Sequence, residues 1–320
     1  MGKTKTHAAA PALVYTRPTL KQDFKRNWLV YVLFLPALIY EIVLHYVPMF
    51  GIVMAFEDYK VNQGYFGSKW VGMANFAELF SGTEFPTALR NTIIIAILRM
   101  TVSFVMPIIF AFLVTSLRNK KYKRTVQFLS YLPNFVAAVV VAALVQEFVQ
   151  KNGPITMLLH YVFGIENQNL LASDKIPVFW IIYIAMGIWQ SLGWGSITYV
   201  AAISTVSTDY YEAAAIDGAT RLQRLFKITL PSIMPTIVMM FVLNVGLSFS
   251  TGFENILLLY MPSTYSVADT IYTYTYRMAF TVGSNYGLSA ASGLFQSIVG
   301  TVLLFGSNAI SKKISDSSLF

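Results

Sequence analysis

Polar side chains are scarce in this chain, so each one inside an apolar run narrows the chemistry available. Asn244, Ser248, Thr251 and Asn255 recur at i, i+4, i+7 and i+11, which on a helix makes one polar stripe with Glu254 beside it. Gln190 and Trp194 stand at i, i+4 between Gly187 and Gly195. Amides and hydroxyls in such stripes either hold the hydroxyl groups of a solute or hydrogen-bond a neighbouring helix. The two readings weigh equally for Asn244 and Ser248, and helix bridging is preferred for Gln190, Trp194, Thr251 and Asn255. Glu41 and Arg99 also lie within apolar runs, where a charge is costly and marks a pairing or a function. Covalent chemistry has little to stand on. With zero cysteines there are no thiolate nucleophiles, disulfides or thiolate metal sites, and His7, His45 and His160 lie far apart. The sequence contains no G-x-x-x-x-G-K-[ST] phosphate loop, H-E-x-x-H, G-x-S-x-G or T-V-G-Y-G motif. No catalytic residue, metal or cofactor is expected on this chain.

The elements that must position these groups follow from composition. The 320 residues are 56% hydrophobic and 12% charged, with a mean hydropathy of +0.58. Soluble domains carry about 25% charged residues, so this chain has too little polar surface to cover a soluble globule. That excludes a cytosolic enzyme, a disordered tail protein and a DNA-binding module. A membrane span needs about 20 mostly apolar residues. Six stretches qualify: Trp28–Phe56, Asn91–Leu117, Val126–Phe148, Ile176–Ile203, Ile228–Ser250 and Leu288–Ile310. The expected fold is all-α integral membrane, with six transmembrane helices and a cytoplasmic loop between the fourth and fifth. The first stretch is overlong and contains Pro36 and Pro48, which predicts a tilt or kink rather than two spans. Its length, and the lack of a small-residue cleavage site after it, favour a retained helix over a signal peptide.

The net charge of +8 is unevenly spread. The N-terminal tail sets Lys3, Lys5, Arg17, Lys21, Lys25 and Arg26 against Asp23, and Arg118, Lys120, Lys121, Lys123 and Arg124 crowd the loop after the second span. Segments 57–90, 147–175 and 251–289 each carry one more acidic than basic residue. By the positive-inside rule both termini and the 118–124 loop are cytoplasmic, and so is 204–227. The basic excess is thus accounted for without nucleic acid. The organisation expected is a basic cytoplasmic tail (1–27), a six-helix domain (28–311) and a short cytoplasmic C-terminal tail (312–320). Counting along the helices, Glu41 lies about 20 Å from Trp28 and Arg99 about 12 Å inward of Asn91. Both then fall in the outer half of the hydrocarbon, and a structural ion pair between them is preferred over a substrate contact. Segment 251–289 is long and rich in tyrosine, which suits an external docking surface, a cover for a pathway mouth or interfacial anchoring.

The 205–231 loop has its own local physics. Asp209 and Glu212 have capping-box spacing and open a short helix through Ile216, which Gly218 ends in a left-handed turn. Thr220 and Gln223 repeat the capping pattern for a second short helix through about Thr229, and Pro231 marks entry into the fifth span. A helix–turn–helix at the membrane surface results, with Ala213–Ala215 small enough for another protein to approach.

Glu212-Ala213-Ala214, three residues, Gly218, nine residues, Ile228, one residue and Leu230-Pro231 resemble the "EAA" loop of type I ATP-binding-cassette importer permeases. Every fixed position is filled, and the loop precedes the penultimate span as in that family. The resemblance implies a coupling helix, carried by Asp209, Glu212, Ala213, Ala214, Gly218, Ile228, Leu230 and Pro231, that docks on a separate ATPase. It further implies a second homologous permease subunit, two ATPase subunits that hold ATP and Mg, and an extracellular or periplasmic solute-binding protein. The setting implied is the lipid of a bacterial cytoplasmic membrane. Ile216-Asp-Gly-Ala219 is similar to the carbohydrate-uptake branch. Leu35-Pro36 through Phe56-Glu-Asp-Tyr59, Gly252-Phe-Glu-Asn-Ile-Leu-Leu-Leu-Tyr260, Tyr131-Leu-Pro-Asn134 and Ser317-Ser-Leu-Phe320 are similar to its oligosaccharide and polysaccharide permeases. A sugar substrate fits the polar stripe and the Trp194 indole face. Two rivals remain. An ion-coupled secondary transporter needs midplane carboxylates and an inverted repeat. A membrane-embedded enzyme acting on lipid-linked glycan needs a paired acid and base.

Overall fold

The structure, a computed structural model, describes residues 19–173, 178–247, 252–281 and 284–315. Among these, five helices are long and apolar enough to cross a membrane: Lys21–Phe56, Glu84–Thr115, Val178–Ser204, Arg221–Gly246 and Tyr286–Ile310. A sixth crossing exists if the bent pair Lys120–Phe135 and Ala138–Phe163 counts as one. The architecture is all-α, as composition requires. Among the described residues the one addition is a two-residue antiparallel ribbon pairing Glu57 with Trp70 and Asp58 with Lys69.

The third span is where sequence and structure part. The Val126–Phe148 stretch reads as one apolar run, and within it the chain turns by 97°. Leu132–Phe135 tightens into a 3-10 turn around Pro133, and Val136 and Ala137 are extended before the helix restarts at Ala138. Proline has no N–H to continue the ladder, and its ring collides with the carbonyl four residues back.

The same collision explains three wide π turns, at Ile42–Tyr46, Arg99–Ser103 and Leu225–Thr229. Each contains the residue four positions before a proline: Leu44 before Pro48, Ser103 before Pro107, Lys227 before Pro231. Widening the turn moves that carbonyl aside and adds a residue, which re-aims the side chains around it.

The chain divides into two compact units, residues 1–51 and 52–320. The first, where described, is a helical segment kinked at Asn27 (φ −118°, ψ 22°) that runs from α (Leu20–Glu41) to π (Ile42–Tyr46) to 3-10 geometry. The second holds the core. One cluster joins Ile95, Val141, Phe179, Trp180, Tyr183, Ile256 and Leu259, and another joins Leu79, Phe85, Ile271, Tyr274 and Leu288. Close helix approach rests on glycine and small residues. A Cβ at Gly246 would collide with Leu304, Gly300 packs on the Gly246 carbonyl, and Ser292 is fully buried against Thr275. At Gly193, in the 178–204 helix, a Cβ would overlap the Ser130 backbone carbonyl, whereas Gly187 in the same helix has open space around it. Gly193→Ala is therefore expected to lower the thermal midpoint of the detergent-solubilised protein, at a cost of about 1–3 kcal/mol. Gly187→Ala in the same unfolding assay is expected to leave the midpoint unchanged or slightly raised.

Candidate functional site

The loop between the fourth and fifth spans is built from capped ends. Its first helix, Thr208–Ile216, is capped by Ser207, whose hydroxyl accepts from the Asp209 amide at 3.2 Å. The cap thus sits two residues before the expected Asp209, and Asp209 lies in the first turn, where its charge suits the helix dipole. The far end closes as a Schellman motif. Ala219 N donates to Ala214 O at 2.8 Å, Gly218 N donates to Ala215 O, and Gly218 takes φ +75°. Thr220 and Gln223 then form the expected capping box: Thr220 N donates to Gln223 Oε1 at 2.7 Å, and Gln223 N to Thr220 Oγ1. The second helix does not stop at Thr229. Arg221–Arg224 continues through the π turn into Leu230–Leu247, so the loop's second limb is the base of the fifth span itself. Tyr211 and Thr229 tie the two limbs by a 2.9 Å hydroxyl–hydroxyl bond.

That brace leaves an outward apolar surface. Tyr210 (63% exposed), Ile216 (87%), Leu222 (67%) and Phe226 (61%) all project from this short segment. Glu212 and Ala213 are exposed, and Ala214, Ile228 and Leu230 are half-buried. Pro231 is exposed. These four apolar side chains are uncovered in the single chain.

The polar stripe is only partly described. Ser248 and Thr251 lie outside the described residues. Asn244 is exposed, and its amide nitrogen donates back to Met240 O at 2.8 Å; Asn255 is half-buried on the short Phe253–Leu259 helix. Gln190 donates to Val136 O at 3.1 Å, bridging to the extended break of the bent third crossing. Trp194 is half-exposed, and its ring meets Phe135 edge-on at 5.6 Å. Of the two charges within spans, Glu41 stands 3.4 Å from His45 Nδ1 in the first unit. Arg99 lies in a π turn in the second unit and hydrogen-bonds the Tyr183 hydroxyl.

Segment 252–281 is folded rather than loose. Asn91, fully buried, donates to Ser266 O and Asp269 O at 3.2 and 3.0 Å; Ile271 N donates to Thr92 Oγ1, and Trp180 Nε1 donates to Val267 O. At its centre Arg277 donates to Asp269 at 2.6 Å and to Glu84 at 2.9 Å, while its guanidinium lies 4.8 Å from the Tyr265 ring centroid. Burial pushes the Asp269 carboxyl up, against the pull of Thr273 and Arg277. Burial alone would lower the Arg277 guanidinium, but its two carboxylate partners outweigh that and hold it above its ordinary value. No motif announced this clasp; its one signal was a single Arg in a segment otherwise holding only Glu254 and Asp269 as charges.

Comparison with known proteins places this geometry. The model of the family described as "binding-protein-dependent transport system inner membrane component" matches residues 103–316. Protein LplB of Bacillus subtilis (strain 168) is 38% identical over 297 residues, 92% of each chain. The polygalacturonan/rhamnogalacturonan transport system permease protein YteP of the same organism is 36% identical over 293 residues, 91% of this chain and 90% of its own. A chain of a bacterial alginate ABC transporter, solved with an alginate pentasaccharide-bound periplasmic protein, superposes with TM-score 0.86 at 36% identity. The match covers 94% of this chain and 100% of that one.

The clasp yields a direct stability test. Arg277→Met leaves the Asp269 carboxylate buried without its counter-charge, a change that costs about 3–5 kcal/mol. The thermal midpoint in detergent is expected to fall accordingly. The double variant Arg277→Met/Asp269→Asn is expected to recover much of the loss, because no buried charge is then left unpaired.

Proposed function

The chain belongs to the family of binding-protein-dependent transport system inner membrane components, and on that premise we propose that it is the permease subunit of an ATP-driven importer of oligosaccharides or polysaccharide fragments. It is a transport permease, not an enzyme. The observation that carries the reading is the braced 205–231 loop, whose exposed Tyr210, Ile216, Leu222 and Phe226 form a surface for an ATPase subunit to cover. The sugar class is supported by relatives described as polysaccharide and alginate transporters.

The assembly is one such chain, a second homologous permease subunit, two ATPase subunits and an external solute-binding protein. ATP and Mg belong to the ATPase subunits. Both termini and the loop face the cytoplasm, and the chain sits in the cytoplasmic membrane of a bacterium. Residues 1–27 and 312–320 flank the membrane domain as tails. When ATP closes the ATPase dimer, the loop is displaced; because its second limb is continuous with the fifth span, the displacement passes into the helices. The spans then switch an internal cavity between inward- and outward-facing states. Asn244 and Ser248 are the first candidates for contact with the sugar, ahead of Trp194, Thr251 and Asn255, while Gln190 braces the broken third crossing. Two binding equilibria are coupled by this movement, so loop variants bind substrate normally and fail to transport it.

Tagged purification from native membranes tests the assembly. An ATPase and a second multi-span protein are expected to co-purify in stoichiometric amounts. Gly218→Asp, which puts a side chain at φ +75°, is expected to release the ATPase while the permease pair stays together. A chain that purifies alone and stable contradicts the proposal.

A further inference from the structure

The five cations after the second span sit on and just before a helix, not in a loose turn. Arg118, Lys120, Lys121, Lys123 and Arg124 fall within seven residues, and Lys120–Tyr131 is helical with Asn119 as its cap. Arg118, Lys120, Lys121 and Arg124 are exposed, and among the described residues none of the five has a carboxylate partner. Like charges one turn apart on a helix repel, so an anion that gathers them relieves a cost built into the fold. The helix's own amides are not what is on offer, because Asn119 Oδ1 already accepts from Lys121 N at 2.9 Å and Tyr122 N at 3.2 Å. Depth follows from packing on the fourth span. Ser130 lies where a Cβ on Gly193 would collide. Gln190, further from Ser204, reaches Val136, beyond Ser130, so the two helices run in opposite directions. At 1.5 Å per residue Gly193 is about 16 Å from the Ser204 end of its helix, and Ser130 about 15 Å from Lys120. The cations therefore stand level with the end of the fourth span that leads into the 205–231 loop, at the height of the lipid headgroups. Lys123, Val126, Gln127 and Ser130 form the half-buried side of the helix. On the other side the cations give way along the axis to exposed Phe128, Leu129 and Leu132.

We propose that this face is a binding site for an anionic phospholipid of the phosphatidylglycerol type, its phosphate gathered by Lys120, Lys121 and Arg124 and its acyl chains laid along Phe128, Leu129 and Leu132. Arg124, Phe128 and Leu132 follow one another at i, i+4, so cation and apolar side chains form one continuous row. From Arg124 to Leu132 is about 12 Å, inside the roughly 15 Å of one hydrocarbon leaflet. A guanidinium takes a phosphate through two parallel hydrogen bonds, and the two ammonium groups beside it add charge without demanding geometry. A zwitterionic headgroup carries its own ammonium, which the cluster repels, and selectivity for the anionic lipid follows. Orientation by the positive-inside rule asks only for cations somewhere in a loop. Here they are ordered, without carboxylate partners and joined end to end with a bare apolar row, as a headgroup is joined to its chains. A soluble acidic partner would satisfy the cations alone, whereas a phospholipid satisfies both halves of the face. The site stands apart from the solute carried. It also stiffens what matters to the loop, because the lipid-bearing helix packs on the helix that leads into it.

The test places the assembled transporter in phosphatidylcholine nanodiscs that carry a photo-activatable phosphatidylglycerol or, in parallel, a photo-activatable phosphatidylcholine, and maps the labelled peptides. Phosphatidylglycerol is expected to label 118–135 preferentially, and unlabelled phosphatidylglycerol to compete. The variant Lys120→Gln/Lys121→Gln/Arg124→Gln is expected to weaken that competition on the order of a hundredfold, from about fivefold for each cation at a charged surface. Lys21→Gln/Lys25→Gln/Arg26→Gln removes the same charge from the N-terminal tail and is expected to leave the competition unchanged. Added phosphatidylglycerol is expected to raise the thermal midpoint of the native transporter and of the tail variant, and not that of the 120/121/124 variant. Equal labelling of 118–135 by the two lipids, or undiminished competition in the 120/121/124 variant, overturns the proposal. Should that variant fail to assemble, the native transporter decides by its own labelling. No lipid label on 118–135 of the native transporter overturns the proposal as well, and gives the face to a protein subunit.

Discussion

In hydrocarbon a backbone amide has no water to bond, so every peptide that crosses must pair within its own segment or against another buried group. A single chain meets that requirement with helices, and the departures from a regular ladder here all have a cause and a compensation. At Pro48, Pro107 and Pro231 the missing N–H and the crowding ring are absorbed by a wide turn one step earlier. At Pro133 the ladder breaks outright, and the Gln190 side chain takes up the carbonyl of Val136. Where the chain leaves the helices between the fourth and fifth spans, Ser207, Thr220 and Gln223 satisfy its orphan amides. The prolines therefore locate both the bends in the scaffold and the side chains that the bends present.

A loop made of such parts is stiff by construction. Each side-chain cap contributes about 1 kcal/mol, and the Schellman closure and the Tyr211–Thr229 bond fix the angle between the limbs. Spending polar groups on the inside of the loop leaves Ile216, Leu222 and Phe226 facing outward. The loop's continuity with the fifth span, and that span's close fit to the sixth through Gly246 and Gly300, give a displacement a short path into the membrane domain. Segment 252–281, clasped by Arg277, closes the opposite end of the fifth span as a folded cap.

The sequence disclosed these features unevenly, for physical reasons. The loop was legible almost to the residue because its determinants are local: a left-handed glycine, a Thr-x-x-Gln box and a small-residue face. The spans were legible as apolar runs, but hydropathy carries no direction, so the 97° turn at Pro133 was invisible although the proline was in plain sight. The end of the second loop helix was misplaced for the same reason: a π turn conceals a proline that otherwise marks a boundary. The Asp269–Arg277–Glu84 clasp was missed because its partners are up to 193 positions apart and no local pattern joins them. Arg99 was noticed as a charge out of place, but its neighbours Tyr183 and Gly252 come from other elements that sequence depth could not bring together.

The central claim is that the braced loop is the surface through which an ATPase acts on this chain, and the absence of native cysteine makes it directly measurable. A single cysteine at Ile216, 87% exposed, would carry a photo-activated cross-linker in the otherwise cysteine-free chain of the assembled transporter. The account predicts a cross-link to an ATPase subunit in high yield, with a control cysteine at Phe66, in the Gly64–Gly67 helical turn between the two short strands, giving none. An assembled, ATP-hydrolysing complex in which Ile216 captures only lipid or the second permease subunit would contradict it.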